Sequence, residues 1–394
     1  MLTRVTLTAA AILLTAPAYA QDFNDIEPNA PEQQPAFEGQ TRAPVLADDI
    51  ALETAPVAEG LEHPWGMAEL PDGSWLVTER PGRLRHLGAD GALSDPIEGL
   101  PSVDSRGQGG LLDIAIADDF ADTRRIWFSF AEPRAKWKSL IRGRNDNANR
   151  TAVGTGILSA DGRMIDGVEV IFRQDPAWHS WAHFGSRLVF DGQGGLFVTT
   201  GDRAEPDSAA LAQDVQAQIG KVMRIAPDGG EAEVWSLGHR NLQAAALGPD
   251  GALWTVEHGP QGGDELNRPE SGKNYGWPVI SYGQDYSGDP VGQGATAQDG
   301  MEQPIYYWDP AIAPSGLTFY DGAMFPEWQG DALIGGLAGM ALVRLRIVDG
   351  RVTGEARHLQ DMARIRDVEV ASDGSIMLLT DDPEGQMIRV TRGN

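Results

Sequence analysis

Short runs of apolar residues, each preceded by an Asp-Gly turn, recur at regular intervals along the chain. The Asp-Gly pairs lie at residues 72–73, 191–192, 250–251 and 373–374. Asp-Gly favours a tight turn, and a short apolar run bounded by turns favours a buried strand. The Asp positions are 119, 59 and 123 residues apart, close to two, one and two units of about 60 residues.

Two further units fit into the longer gaps of this repeat. The apolar runs at residues 126–130 and 331–336 supply them and bring the count to six. Long amphipathic helical patterns are nearly absent, and repeated antiparallel sheets without helices are typical of a β-propeller. The pattern therefore predicts an all-β fold, a six-bladed β-propeller with four-stranded antiparallel blades. A two-sheet sandwich is the alternative, and it does not explain the period.

The N-terminus departs from this pattern. Residues 1–20 combine Arg4, a short apolar run and a small-residue cleavage site at residues 18–20, as a secretory signal peptide does. Residues 21–45 are rich in Pro, Gln and acidic residues, which predicts a flexible leader. We therefore expect the propeller to span residues 46–394 and the protein to be exported to the periplasm.

Charge and composition exclude several classes of function. The 57 acidic and 31 basic residues give a net charge of −26, which makes the chain a poor partner for nucleic acid. The absence of cysteine excludes disulfides, thiolate metal sites and covalent c-type haem. No stretch after the signal is apolar enough to span a bilayer, so we expect no stable membrane insertion.

Polar residues beside the predicted strands are the candidates for chemistry. His183 comes just before a strand, and a neutral imidazole is a natural base near pH 7. Asp202 follows the next strand of the same unit and can orient that base. A structural histidine and a turn aspartate would give the same pattern, so the pair is a hypothesis at this point.

Further candidates point to an anionic ligand. Gln108 lies in a Gly-rich turn, where a backbone can approach a ligand closely, and Arg240 with Asn241 places a cation beside the next unit. Arg364 and Arg366 are two positions apart, which puts both guanidinium groups on one face of a strand. A turn glutamine and a surface arginine are the structural alternatives.

The segment at residues 257–265 carries three carboxylates among glycines directly after a strand. Carboxylates and free backbone carbonyls are the ligands that calcium prefers. The spacing differs from that of an EF-hand, so the segment only suggests a calcium site.

Together these segments resemble the soluble aldose sugar dehydrogenases that use pyrroloquinoline quinone (PQQ), in the glucose/sorbosone dehydrogenase family. The resemblance extends from about residue 63 to the C-terminus. It is carried in order by residues 107–113, 183–188, 238–241, 257–267, 273–278 and 364–368. It implies a six-bladed propeller that oxidises aldoses at the anomeric carbon to lactones. By the same resemblance, His183 is the base that takes the hydroxyl proton as hydride passes to PQQ, and Asp202 orients it.

The resemblance also implies the residues that hold the cofactors. The positions matched to PQQ contacts are Gln108, Arg240, Asn241, Tyr286, Gly336, Leu337, Ala338, Arg364, Ile365 and Arg366. The carbonyls of Gly259 and Pro260 match one calcium site, and Glu265 with Tyr275 matches a second. Electrons would leave to a separate acceptor, a quinone or a soluble redox protein.

Two departures from the family pattern are present. Ala338 stands where the family often has a lysine against PQQ, and Ala182 replaces a polar residue common before the histidine. Two other functions stay open: a calcium-dependent propeller lactonase or hydrolase, and a non-catalytic ligand-binding propeller. The arginine pair argues against the first, and retention of His183 with Asp202 argues against the second.

Overall fold

A computed structural model describes residues 23–48, 50–134 and 147–393. Within these ranges the strands form six small sheets. The innermost strands of neighbouring sheets contact one another around a closed ring, because the first sheet touches both the second and the sixth. The fold is therefore a six-bladed β-propeller, as predicted. The predicted signal peptide lies outside the described residues.

One strand of each blade lines the central channel, and these six strands share one burial pattern, with the last two residues more exposed than the rest. The innermost strands are β2 (Pro64–Glu69), β5 (Leu111–Ile116), β9 (Gly185–Phe190), β13 (Leu242–Leu247), β18 (Pro314–Phe319) and β22 (Ile365–Val370).

The second strands of the blades are the ones that the repeat predicted. The four runs after Asp-Gly turns and the two runs in the gaps each fall on one of them, so the count of six units is confirmed. These strands are β3 (Trp75–Glu79), β6 (Arg125–Pro133), β10 (Leu196–Thr200), β14 (Leu253–Glu257), β19 (Ala332–Gly336) and β23 (Ile376–Thr380).

The outer strands complete the blades, and short helices occur only in connections of the described chain. The third strands are β4 (Arg83–Leu87), β7 (Asn149–Leu158), β11 (Lys221–Ile225), β15 (Asp264–Asn267), β20 (Leu342–Val348) and β24 (Gly385–Arg392), and the outermost are β8 (Ile165–Arg173), β12 (Ala232–Leu237), β17 (Tyr306–Trp308), β21 (Arg351–His358) and β1 (Leu52–Leu61). The α-helices are α1 (Phe120–Thr123) and α2 (Pro206–Ala209), and the 3-10 helices are Phe23–Asp25, Ala210–Gln213 and Pro326–Trp328.

Two blades differ from the predicted four strands. The first has three, because the segment after β4 hydrogen-bonds to it only irregularly, through Ser94 N to His86 O and Ile97 N to Leu84 O. The chain then continues into β5 of the second blade. The third blade has a fifth strand, since the short β16 (Lys273–Asn274) pairs in parallel with β12.

The predicted flexible leader is wrong for the described residues from 23 onward, because this segment packs on the fourth and fifth blades. The backbone N–H groups of Asn29 and Ala30 donate to the Asp309 carboxylate at 2.6 and 2.9 Å. Gln40 is fully buried, and its carbonyl accepts the N–H of Tyr307. The polar composition predicted flexibility, but a few small apolar residues and the buried amide of Gln40 are enough to hold the segment in place.

Buried ion pairs connect different blades across the central channel. The Arg187 guanidinium lies 3.0 Å from the Asp113 carboxylate and 2.9 Å from that of Asp367, on three different blades. It also lies 4.5 Å from the ring centre of Trp65, on a fourth. Burial raises the pKa of Asp113 to about 6, with a further contribution from the charge of Asp367, while Arg187 opposes the shift.

No helix among the described residues is long and apolar enough to cross a membrane.

Arg187→Met should strongly destabilise the fold, because it leaves buried carboxylates of two blades, Asp113 and Asp367, without their shared cation. We expect a loss of about 3–5 kcal/mol in the free energy of unfolding, measured by chemical denaturation. The matched control is Arg392→Met, which breaks an exposed ion pair with Glu327 and should leave stability unchanged. Equal stability of the two variants would contradict the proposed role of the channel cation.

Candidate active site

The polar residues of the site lie where innermost strands begin and second strands end. Both kinds of strand terminus meet at one end of the channel because each blade is antiparallel. The residues that precede innermost strands are Gln108, His183, Arg240, Asn241 and Arg364, and those that follow second strands are Arg80, Asp202, His258, Leu337 and Asp381.

His183 and Asp202 form a direct pair, as the sequence suggested. The Nδ1 atom of His183 lies 2.6 Å from Oδ1 of Asp202. The carboxylate also accepts the N–H of Ala204 at 2.9 Å and the indole N–H of Trp277 at 2.8 Å. These contacts fix the aspartate, which in turn orients the imidazole ring.

The electrostatics of this pair favour a neutral imidazole beside an ionised carboxylate. Burial lowers the pKa of His183, and the charges of Arg240 and Arg203 lower it further, while Asp202 opposes them. Burial would raise the pKa of Asp202, but the His183 hydrogen bond and nearby cations bring it below its ordinary value. The carboxylate can only accept, so Nδ1 carries the proton and Nε2 is left to accept one.

A cavity of about 240 Å³ lies over the channel and contains the arginine pair. Arg364 and Arg366 each donate to Oδ2 of Asp381 at 3.0 Å, so both guanidinium groups face the same side as predicted. Burial opposes ionisation of Asp381, but the two arginines lower its pKa to about 2. Arg80 adds a third cation to the wall.

Three buried donors, one on Arg366 in this cavity and two on residues that precede β13, have no partner in the described structure. They are Nε of Arg240, Nδ2 of Asn241 and Nε of Arg366. Buried donors are normally satisfied, and each unsatisfied group costs free energy. Their chemistry suits a ligand with several carboxylate or carbonyl oxygens.

A second, larger cavity contains the His183–Asp202 pair in its wall. It has a volume of about 650 Å³ and is lined by His183, Asp202, Arg240, Pro260 and Tyr286 among others. Tyr286 lies on its rim with 74% of its surface exposed. The base therefore lines the wider open cavity, while the two residues after it, Phe184 and Gly185, line the small cationic one.

Of the remaining predicted cofactor positions, two line the small cavity. Gln108 lines it and accepts the His183 N–H at 2.8 Å, and Leu337 lines it with its carbonyl 3.3 Å from Nη1 of Arg364. Gly336 ends β19, and Ala338 is exposed in the following turn. The side chain of Ile365 packs in the apolar core between blades, so only its main chain faces the site.

The Gly-rich turn after β14 has the form of a carbonyl donor site. Gly259 N donates to Oδ1 of Asp264 at 2.9 Å, while the carbonyls of Gly259 and Pro260 accept no hydrogen bond from any described residue. Burial raises the pKa of Asp264 to about 7. No cluster of three acidic or histidine side chains able to hold a metal occurs in the described ranges.

The second predicted calcium position brings two carboxylates together. Glu265 is paired with Glu257 across β14 and β15, and Nδ2 of Asn267 donates to both at 3.0 Å. Burial and the Glu257 charge hold the pKa of Glu265 well above its ordinary value. The Tyr275 hydroxyl instead donates to the carbonyl of Arg268 at 2.6 Å. The group of Tyr275 that remains available to a metal is therefore its own backbone carbonyl.

Sequence reasoning missed several residues of the site. Arg80, His258 and Asp381 each come directly after a second strand, and the rule that found Asp202 would have found them. Nε2 of His258 lies 2.9 Å from Pro314 O, and burial with the charge of Arg240 lowers the pKa of this histidine to about 3. Gln243 and Trp277 reach the site only through tertiary packing, which no local pattern indicates.

Known proteins resemble this chain over most of its length. The family profile described as Glucose / Sorbosone dehydrogenase matches residues 61–389. The aldose sugar dehydrogenase YliI of Escherichia coli strain K12 is 40% identical over 376 residues, covering 89% of this chain and 98% of that protein. Quinoprotein glucose dehydrogenase B of Acinetobacter calcoaceticus is 26% identical over 59% of this chain and 53% of its own length.

Solved structures show the same architecture. The apo-form of the soluble aldose sugar dehydrogenase from Escherichia coli has a TM-score of 0.80 and 39% identity, covering 87% of this chain and all of that one (100%). The PQQ-bound form of the aldose sugar dehydrogenase from Streptomyces coelicolor has a TM-score of 0.70 and 24% identity, over 87% of this chain and 100% of that one. At that identity the likeness supports the fold alone.

The fold and these matches define the class of the protein, a propeller oxidoreductase that acts as a sugar dehydrogenase. The chain belongs to the glucose/sorbosone dehydrogenase family.

Asp202→Asn should lower the pKa of His183 further, because it removes the negative charge that opposes the effect of burial. The titration of the His183 imidazole, followed by NMR in the cofactor-free protein, measures this shift. The exposed Asp207→Asn is the matched control and should leave the titration unchanged. An unchanged or raised pKa in Asp202→Asn would contradict the assigned pairing.

Proposed function

We propose that this enzyme oxidises aldose sugars at the anomeric carbon to lactones, using PQQ and calcium, with His183 as the base. The observation that carries the proposal is the His183–Asp202 pair at the channel end that also holds buried donors of Arg240, Asn241 and Arg366 without partners. The relative named as a quinoprotein supports the choice of cofactor.

The residues around the small cavity fit PQQ, which carries three carboxylates. Arg366 lines this cavity with an unpartnered Nε, and Gln108 and Arg364 line it too. Arg240, which lines the larger cavity, and Asn241 supply further unpartnered donors. Guanidinium groups bind carboxylates strongly because they form charge-assisted hydrogen bonds in a fixed geometry. Bound PQQ would supply a quinone carbonyl carbon that accepts hydride, activated by calcium as a Lewis acid.

His183 would remove the proton of the anomeric hydroxyl at its Nε2 atom. Its Nδ1–H donates to Asp202, so the carboxylate stabilises the imidazolium that forms. Trp277 and Ala204 keep that carboxylate in place. The larger cavity beside His183 has room for a sugar.

For calcium, the free carbonyls of Gly259 and Pro260 supply the kind of oxygen ligand that this ion takes. Glu265, with the carbonyl of Tyr275, would form a second calcium position. A cation there would relieve the repulsion between Glu257 and Glu265, whose carboxylates share one amide donor.

We also infer from the sequence that the mature protein works in the periplasm and passes electrons to a separate quinone or redox protein. The signal-like residues 1–20 support export. The chain has no cysteine to hold haem covalently, which supports a separate acceptor.

Purified protein should reduce a redox dye with aldoses only when PQQ and Ca²⁺ are both supplied. His183→Ala should lower kcat by at least about a hundredfold, because proton removal by a positioned base contributes that much or more. The control His86→Ala changes a histidine of β4 that hydrogen-bonds Ser74, and it should keep full activity.

Dye reduction that survives either chelation of calcium or loss of His183 would contradict this mechanism. Hydrolysis of a lactone without dye reduction would favour a propeller lactonase. PQQ binding without turnover of any aldose would favour a binding protein.

Arg366→Met should weaken PQQ binding about tenfold or more, because it removes a charge-assisted donor to a carboxylate. Titration of the protein with PQQ in the presence of Ca²⁺, followed by fluorescence quenching, measures the affinity. Arg392→Met is the control for loss of a cation elsewhere. Ala338→Lys restores the family's lysine and should bind PQQ more tightly; equal affinities for all four proteins would sink the assignment of this cavity.

A further inference from the structure

The backbone of His183 has an unusual conformation that is held from both sides. Its φ angle is 48°, in the left-handed region that a non-glycine residue adopts only at a cost. Its N–H donates to Oε1 of Gln108 at 2.8 Å. Its carbonyl accepts a hydrogen bond from Nη1 of Arg203 at 3.3 Å. The direction in which the imidazole leaves the chain depends on this conformation.

Arg203 is a buried cation that touches neither cavity. It has no exposed surface, and its guanidinium lies 3.7 Å from the ring centre of Phe184. Besides the His183 carbonyl, Nη2 donates to Ser180 O at 2.8 Å and to Oδ1 of Asn149. It therefore binds the chain on both sides of residues 181 and 182, immediately before the base.

These contacts close into a ring that begins and ends at His183. Nδ2 of Asn149 donates to Oδ2 of Asp104 at 2.8 Å, and Asp104 also holds the Arg106 guanidinium at 2.5 Å. Arg106 begins the turn that carries Gln108, since its carbonyl accepts the N–H of Gly109. Gln108 in turn accepts the N–H of His183. A single network of contacts therefore connects the backbone carbonyl of His183 with its backbone N–H.

We propose that Arg203, acting through Asn149 and Asp104, is a positioning residue that holds His183 in its left-handed conformation and so aims its imidazole. This inference rests on the proposed role of His183 as base. Arg203 follows Asp202 directly, so one short turn supplies both the carboxylate that orients the ring and the cation that orients the backbone. The charged or titratable groups that face His183 are Asp202, Arg203, Arg240 and His258.

Arg203→Met tests the proposal in the PQQ- and Ca²⁺-loaded enzyme. We expect kcat to fall about tenfold to a hundredfold, the cost of misplacing a catalytic group by about 1 Å, while KM for the sugar changes little. Arg203→Lys should not restore kcat, since one ammonium cannot reproduce the planar fork that spans three acceptors. Asn149→Ala should lower kcat in the same direction and keeps the test possible if Arg203→Met fails to fold.

A second measurement needs no cofactor. The proton between His183 and Asp202 gives an NMR signal that His183→Ala identifies by its loss. This signal should shift or broaden in Arg203→Met and in Asn149→Ala, because the imidazole is no longer held against the carboxylate.

Arg344→Met is the matched control for loss of a buried arginine. Arg344 is also buried, lies 5.1 Å from the ring centre of Trp328, and pairs with Asp48 and Asp331 at 2.8 Å, far from the base along the fifth blade. We expect it to lower stability and to leave kcat and the imidazole signal of the folded protein unchanged.

Unchanged kcat and NMR signal in Arg203→Met and Asn149→Ala would overturn the inference, as would losses no larger than in Arg344→Met. A wild-type enzyme that oxidises no aldose would instead overturn the proposed function. The NMR comparison in the cofactor-free protein still decides on the positioning role in that case.

Discussion

A propeller is joined across its axis only by side chains, because hydrogen bonds of the backbone stay mostly within each blade. In this protein the Arg187 guanidinium provides that connection, since it binds carboxylates of the second and sixth blades from its place on the third. Its geometry fixes the separation of the innermost strands where they begin. The loops that carry the site start from these same strand ends, so the precision of the site depends on the buried charges below it.

The channel and the active site are coupled through neighbouring residues of the same strands. On β22, Asp367 binds Arg187 in the channel while the adjacent Arg366 reaches Asp381 and the cationic cavity. On β9, Arg187 lies four residues after His183, whose loop is clamped by Arg203 and Gln108. Alternation along β22 thus lets one residue hold the ring together while its neighbour faces the site.

Much of the fold could be predicted because five of the six second strands follow a turn and are buried along their whole length. His183 and Asp202 could be predicted because the first precedes an innermost strand and the second follows the next strand of the same blade. Asp381 could have been found by the same rule, since it directly follows β23, but the role of Arg203 could not, since it depends on which distant groups the ring brings near. The packed segment from residue 23 and the three-stranded first blade were missed for a related reason. Each is decided by contacts with another blade, such as Asp309 for the N-terminal segment, and not by local composition.

The sixth sheet contains both ends of the propeller, because β1 pairs with β24 from Leu52 opposite Arg392 to Leu61 opposite Gly385. During synthesis β1 emerges before the other strands of the propeller, and its partner β24 emerges after all of them. Until then β1 is an open edge, which in other proteins promotes pairing between chains. Pro56 and the register shifts around Ala58 interrupt its ladder, and Glu53 and Glu59 place charge along it. The strand that closes the ring is therefore poorly suited to aggregation before β24 pairs with it.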